Sequence, residues 1–216
     1  MALTFNGSNN TIAGVAAGGI NDNVVDNGTM ADDAIGVAEL SATGTASSST
    51  YLRGDNAWSA ISAGITEYDV WRVTSDVNNP GVITSNWERS DHANFEKIGT
   101  GMTESSGIFT FPSTGKWDIS MHIFWKGVAE HDYTVTRVHL STDSGANFAT
   151  YANTYGYILN SGGVQYNSDT CRGMIDITDT STMKVRMYGG GSNAPDLRGS
   201  TDTDYSFATF IKVGDT

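Results

Sequence analysis

Between residues 107 and 125 the sequence reads GIFTFPSTGKWDISMHIFW, and its bulky apolar side chains fall on alternate positions. Phe109 and Phe111 alternate before a turn at 112–115, and Trp117, Ile119, Met121, Ile123 and Trp125 follow at every second residue. Asp118, Ser120, His122 and Phe124 lie between them. A period of two puts the first set on one face of an extended strand and the second on the other. On a helix, at about 100° per residue, the same five would scatter round the cylinder. Each contributes about 1.5–3 kcal/mol if fully buried, so the stretch predicts a strand, a tight turn and then a core strand.

The rhythm recurs downstream. Residues 67–73 alternate around Tyr68, Val70 and Trp71, and residues 133–142 place Tyr133, Val135, Arg137 and His139 opposite Thr134, Thr136, Val138 and Leu140. Further strands are predicted at 82–84, 95–98, 148–159, 164–166, 171–177, 183–188 and 205–213. Pro80 and Gly81 suit the central positions of a turn that needs positive φ. Two long loops are expected, at 160–163 and 189–203. About ten short strands with turns every 8–12 residues predict an all-β jelly-roll sandwich.

Residues 1–60 have a different pattern and read as a separate segment before a head at 61–216. Short strands are predicted around Leu3 and Phe5 and around Ile12 and Val15, joined by an Asn-Gly-Ser-Asn-Asn turn, and one short helix at 29–40 with Thr29 as its cap. So few large apolar residues make no self-sufficient core, which implies that the segment uses a partner surface. Residues 41–50 are rich in Ser, Thr, Ala and Gly and read as a linker by composition.

Composition narrows the function. The chain of 216 residues is 38% hydrophobic and only 17% charged, with 25 Gly, 3 Pro and a net charge of −12. That balance suits strands joined by turns. It repels nucleic acid and keeps assemblies soluble. The single cysteine, Cys171, has no intrachain disulfide partner and reads as a small buried strand residue. No signal peptide and no run of about 18 apolar residues is recognisable. The expectation is synthesis in a cytoplasm, without membrane insertion.

No catalytic constellation stands out. Neither a Gly-x-Ser-x-Gly elbow nor a His-Glu-x-x-His motif is present, and no cofactor is called for. Asp196, Asp202 and Asp204 share one loop and are weak calcium-ligand candidates, because the remaining spacing of a calcium loop is missing; a solvated acidic loop is the preferred reading. His122 reads as a packed or interface histidine, open to a pH-sensitive role. Trp87, Tyr151, Tyr155 and Tyr188 are the candidate receptor-facing aromatics; second-sheet core or a subunit interface is the alternative reading.

Two stretches resemble known families. The order Gly107-x-Phe109-Thr110-x-Pro112-x-x-Gly115-x-Trp117 resembles the signature hairpin of the globular heads of complement component one q and the tumour necrosis factors, and Phe207 with its neighbours looks like that family's last strand. The N-terminal ALTFNGSNNTIAGV and the run GTASSSTYLRGDNAW at 44–58 are similar to tail-fibre-like proteins of bacteriophages. Together the resemblances imply a homotrimeric virion protein, made in the host cytoplasm and placed on the virion surface. In that reading Leu3, Phe5, Ile12 and Val15 anchor it to other virion proteins, and the head meets a host-surface glycan or protein. A trimeric capsid-decoration protein that stabilises the shell is the alternative. A glycan-cleaving enzyme is the remote one.

Overall fold

The computed structural model describes residues 4–6, 11–13, 40–60, 64–127, 131–159, 162–193 and 195–216. The chain divides into two compact units, Met1–Ser62 and Ala63–Thr216. In the first, β1 (Thr4–Asn6) pairs antiparallel with β2 (Thr11–Ala13), setting Phe5 opposite Ile12. Leu3, Val15 and residues 29–39 of the expected helix lie outside the described residues. β3 (Thr50–Leu52) and β4 (Trp58–Ala60) form a second hairpin. Its approach, expected as a linker, is a turn held by hydroxyls: Ser47 N donates to Thr50 Oγ1 at 2.8 Å, and Thr50 Oγ1 donates to Thr45 O at 3.2 Å. Small hydroxyl side chains can order a local turn as readily as they can loosen a chain.

The second unit is a sandwich, and no helix occurs among the described residues. Its strands are β5 (Glu67–Val73), β6 (Val77–Asn78), β7 (Gly81–Val82), β8 (Trp87–Arg89), β9 (Thr103–Ser105), β10 (Ile108–Thr110), β11 (Gly115–Gly127), β12 (His131–Ser141), β13 (Ala149–Ile158), β14 (Gln165–Ile177), β15 (Lys184–Gly191), β16 (Asp196–Leu197) and β17 (Phe207–Gly214). One sheet has the order β13-β12-β15-β10-β9, with β7 also on β15. The other has the order β6-β16-β11-β17-β5-β8, with β14 paired along the whole of β11. All these pairings are antiparallel.

The core is the alternation read inward. Ile119, Met121, Ile123 and Trp125 are fully buried and Trp117 is 1% exposed. They pack with Phe109, Phe111, Val138, Ile175, Met187 and Phe210. Phe109 sits within 5.7 Å of Trp71, Trp87 and Phe210 by ring centroids, and Phe111 lies 5.2 Å from Trp117.

Four expectations change. The turn at 112–115 does not close a hairpin, because β10 pairs with β15 and β9 while β11 lies in the other sheet. Pro112 therefore sits in a corner that carries the chain between sheets. The corner requires Gly115, which has φ +137° and would set a Cβ 2.6 Å from Gly214 O, and the β9–β10 turn requires Gly107, which has φ +80° and would set a Cβ 2.2 Å from Ile83 O. The stretches 164–166 and 171–177 are parts of one strand, paired along its whole length with β11. Residues 95–98 hold only an isolated bridge, Ile98 to Tyr68. Phe207 is half-buried and faces outward, opposite His122 in register, so Ala208 and Phe210 supply the last strand's core residues.

Candidate functional site

A sandwich buries the inner faces of its sheets and leaves the two outer faces for function. On the outer face of the β11 sheet the polar half of the alternation emerges: Asp118, Ser120, His122 and Phe124 on β11, with Arg172, Thr170, Ser168 and Tyr166 beside them on β14. Phe207, Thr209 and Ile211 of β17 flank the other side. Phe124 lies between two tyrosines, with Tyr166 at 5.3 Å and 5° and Tyr205 at 5.6 Å and 19°. The Arg198 guanidinium caps Tyr205 at 4.4 Å. His122 packs 5.2 Å from Phe207 and shares a 2.8 Å hydrogen bond with Thr170 Oγ1. Asp118, almost buried, accepts from Arg172 Nε at 2.7 Å and also from its Nη2. A shallow depression of about 260 Å³ opens between this pair and Ser120, Thr170, Thr209 and Ile211. The face thus joins a ring stack to a polar floor whose charges are already paired.

The outer face of the β12 sheet differs in chemistry. Register places His139 opposite Arg186 and Arg137 opposite Tyr188 on β15, with Tyr155 of β13 opposite Val135. Arg137 Nη2 donates to Tyr155 Oη at 3.4 Å, and its guanidinium lies 5.0 Å from the Tyr188 ring centre. Tyr188 stacks on His139 at 5.3 Å. Arg186 Nε donates to His139 Nδ1 at 3.4 Å, and its guanidinium covers Phe148 at 4.1 Å. Tyr133 meets Tyr155 edge to face at 6.0 Å. Sequence reading chose Tyr155 and Tyr188 by residue type but passed over Arg137, His139, Arg186 and Phe148. The alternation of residues 133–139 had already put Arg137 and His139 on one side; what brings Arg186 beside them is the β12–β15 register.

The other candidates are placed as follows. Trp87 is half-buried, packs on Phe109 and donates from Nε1 to Ile83 O at 3.0 Å, so its ring serves the core. Tyr151 is exposed, lies over Gly173 and donates its hydroxyl to Met174 O. The three loop carboxylates have separate settings. Asp196 accepts from Asn78 Nδ2 at 2.5 Å, Asp202 closes a turn on Ser200, and Asp204 accepts from Ser90 Oγ at 3.0 Å beside Arg72 and His92. Asp204 therefore balances the buried Arg72 cation together with Glu88 and Asp91. No group of three His, Cys, Asp or Glu is arranged to hold a metal ion among the described residues. Cys171 is buried, which pushes its thiol up from the ordinary range.

Burial lowers the pKa of both central histidines. For His122 the negative charge of Asp169 opposes the shift, and for His139 the positive charges of Arg186 and Arg137 add to it. Below the unfolded value of about 6.5 the unfolded chain takes up protons that the folded chain resists. Stability is therefore expected to fall as the pH drops from about 6.5, by up to about 1.4 kcal/mol per pH unit for each histidine until its folded-state pKa is reached. Thermal unfolding between pH 7.5 and 5 checks this; His139→Gln should flatten the slope, and an unchanged slope in both His139→Gln and His122→Gln would refute it.

No protein-family model matches the chain, and no curated protein matches it. Among solved structures it is similar to the Eiger tumour necrosis factor of S. frugiperda, at 11% identity over 71% of this chain and 96% of that one, with a TM-score of 0.50. It is also similar to murine APRIL at pH 5.0, at 12% identity over 68% of this chain and 98% of that one, again with a TM-score of 0.50. The likeness is one of fold: the sandwich is a jelly roll of the tumour necrosis factor type.

Proposed function

We propose that the chain is a structural protein of a bacteriophage virion: a homotrimeric short fibre or knob, held on the particle by its N-terminal segment and displaying the jelly-roll head for attachment to the host surface. The observation that carries self-association is the outer face of the β11 sheet. Its rings Phe124, Tyr166, Tyr205 and Phe207 are stacked and oriented, yet Tyr166 is half exposed and Met174 on the same strand more so. Oriented aromatics with an arginine at the edge have the composition of an interface centre. A closed ring of identical copies is the commonest way for such a face to cover itself.

Support for the virion setting comes from the resemblance of residues 2–15 and 44–58 to phage tail-fibre-like proteins, and support for a non-enzymatic role from the depression on the β11 sheet, whose charged groups Asp118 and Arg172 are paired with each other. Light scattering of the purified full chain should give three times the 23.0 kDa of one copy; a monomer would refute the trimer. Cryo-electron microscopy of intact particles tests the placement. Density at the tail or baseplate is the expected result, and density at threefold positions of the shell would replace the fibre reading with a capsid-decoration one.

A further inference from the structure

Among the described residues, the ladder on the outer face of the β12 sheet is a positive strip without paired carboxylates on an acidic protein. The chain carries twice as many acidic as basic residues, 24 against 12. Arg53, Arg72, Arg89 and Arg172 each hold a carboxylate. Arg137 and Arg186 form no such ion pair among the described residues; they lie on rings instead. The field at His139 agrees, because beyond burial the charges that lower its pKa are those two arginines. His139 accepts from Arg186 through a ring nitrogen that must be unprotonated, so at neutral pH the histidine is a spacer and the arginines carry the charge.

From this we infer that the ladder is the binding strip for an acidic polysaccharide, one whose charge is a ring carboxylate occurring once per repeat unit. Stacking fixes each guanidinium without using most of its five donors, which leaves planar forks of the shape a carboxylate fits. Tyr155 is 58% exposed and Tyr133 44%, and their edge-to-face pair offers apolar surface beside the charge, as a sugar ring needs. Arg137 and Arg186 occupy diagonal positions on adjacent strands, about 7–8 Å apart at the backbone. A nucleic acid brings a phosphate with every nucleotide and meets the repulsion of the whole acidic chain. An acidic protein segment would pair with the arginines but leave the flanking tyrosine faces without a ring to cover them. The inference rests on the reading of the head as the attachment part of the particle and names the class of ligand it attaches to.

Isothermal titration of the full chain with a hyaluronan octasaccharide, which has one uronate per disaccharide, is the test, with maltooctaose as the neutral control. Binding of the first and not the second is expected, weakening as salt is raised. Arg137→Gln and Arg186→Gln should each reduce affinity about tenfold or more, since a charge-assisted hydrogen bond is worth that much. Tyr155→Ala should weaken it as well. Melting temperature and oligomeric mass should stay the same in all three. Equal binding of maltooctaose, no binding of hyaluronan, unchanged affinity in the Arg137→Gln/Arg186→Gln double variant, or binding of poly-glutamate alone would each overturn the inference. Adsorption separates it from the broader reading. If the full chain blocks infection and the double variant blocks it equally, the ladder fails and attachment stands. If the full chain does not block infection but binds the octasaccharide through the two arginines, the ladder stands and attachment fails.

Discussion

Asp69→Ala is expected to cost the head about 3–5 kcal/mol of unfolding free energy, the usual loss when one partner of a buried ionic network is removed. Asp69 is 1% exposed, and its carboxylate gathers four donors from three segments. Arg89 of β8 donates twice, from Nε at 2.9 Å and from Nη2 at 3.1 Å. Trp71 Nε1 donates at 2.9 Å and Met102 N at 2.8 Å. Truncation leaves the amide of Met102, itself buried, and the indole without an acceptor, each a penalty of about 1–3 kcal/mol. Arg89 remains one-third exposed and also holds Met102 O at 2.7 Å, so its stranded charge is partly screened and the loss falls toward the lower end of the range. Asp69→Asn keeps one acceptor oxygen and should lose about half as much. Urea titrations at a fixed chain concentration, with the slope unchanged, give the numbers. A loss below about 1 kcal/mol in Asp69→Ala would mean that the strand contacts, and not this carboxylate, tie β5 to the crossing at Met102.

That network also marks the limit of what alternation reveals. The inward set of β11 was legible because five large side chains at period two have one economical arrangement, and all five are buried. Period two says which side a residue faces and nothing about the partner strand. The turn at 112–115 therefore read as a hairpin, although twist and packing send its two arms to different sheets. The strands expected at 164–166 and 171–177 left a break at residues 167–170. Pairing with β11 overrides it, and Asp169 is accommodated by buried hydrogen bonds from Thr134 Oγ1 and Asn167 Nδ2. Trp87 and Tyr155 were indistinguishable by type, but one covers Phe109 and the other lies open. The cation ladder needed Arg186 brought beside His139 from 47 residues away, which only a register can supply.

Phe124→Lys is expected to convert the proposed trimer to monomer at micromolar chain concentration while leaving the head folded. The second half follows from where the side chain is. Phe124 faces out between Tyr166 and Tyr205 and is not among the residues that pack the sandwich interior. The first half follows from arithmetic over three copies. Truncating an aromatic at an interface centre costs about 2–4 kcal/mol, and a ring of identical contacts repeats the loss at each. The new ammonium adds repulsion, because the Arg198 guanidinium already caps the adjacent Tyr205. Phe124→Leu, uncharged and apolar, should weaken association far less, which separates loss of the ring from gain of the charge. Light scattering reads the mass and β-sheet circular dichroism reads the fold. If Phe124→Lys stays trimeric with an unchanged spectrum, this face does not join the copies, and the stacked rings must be explained as a surface for a different partner.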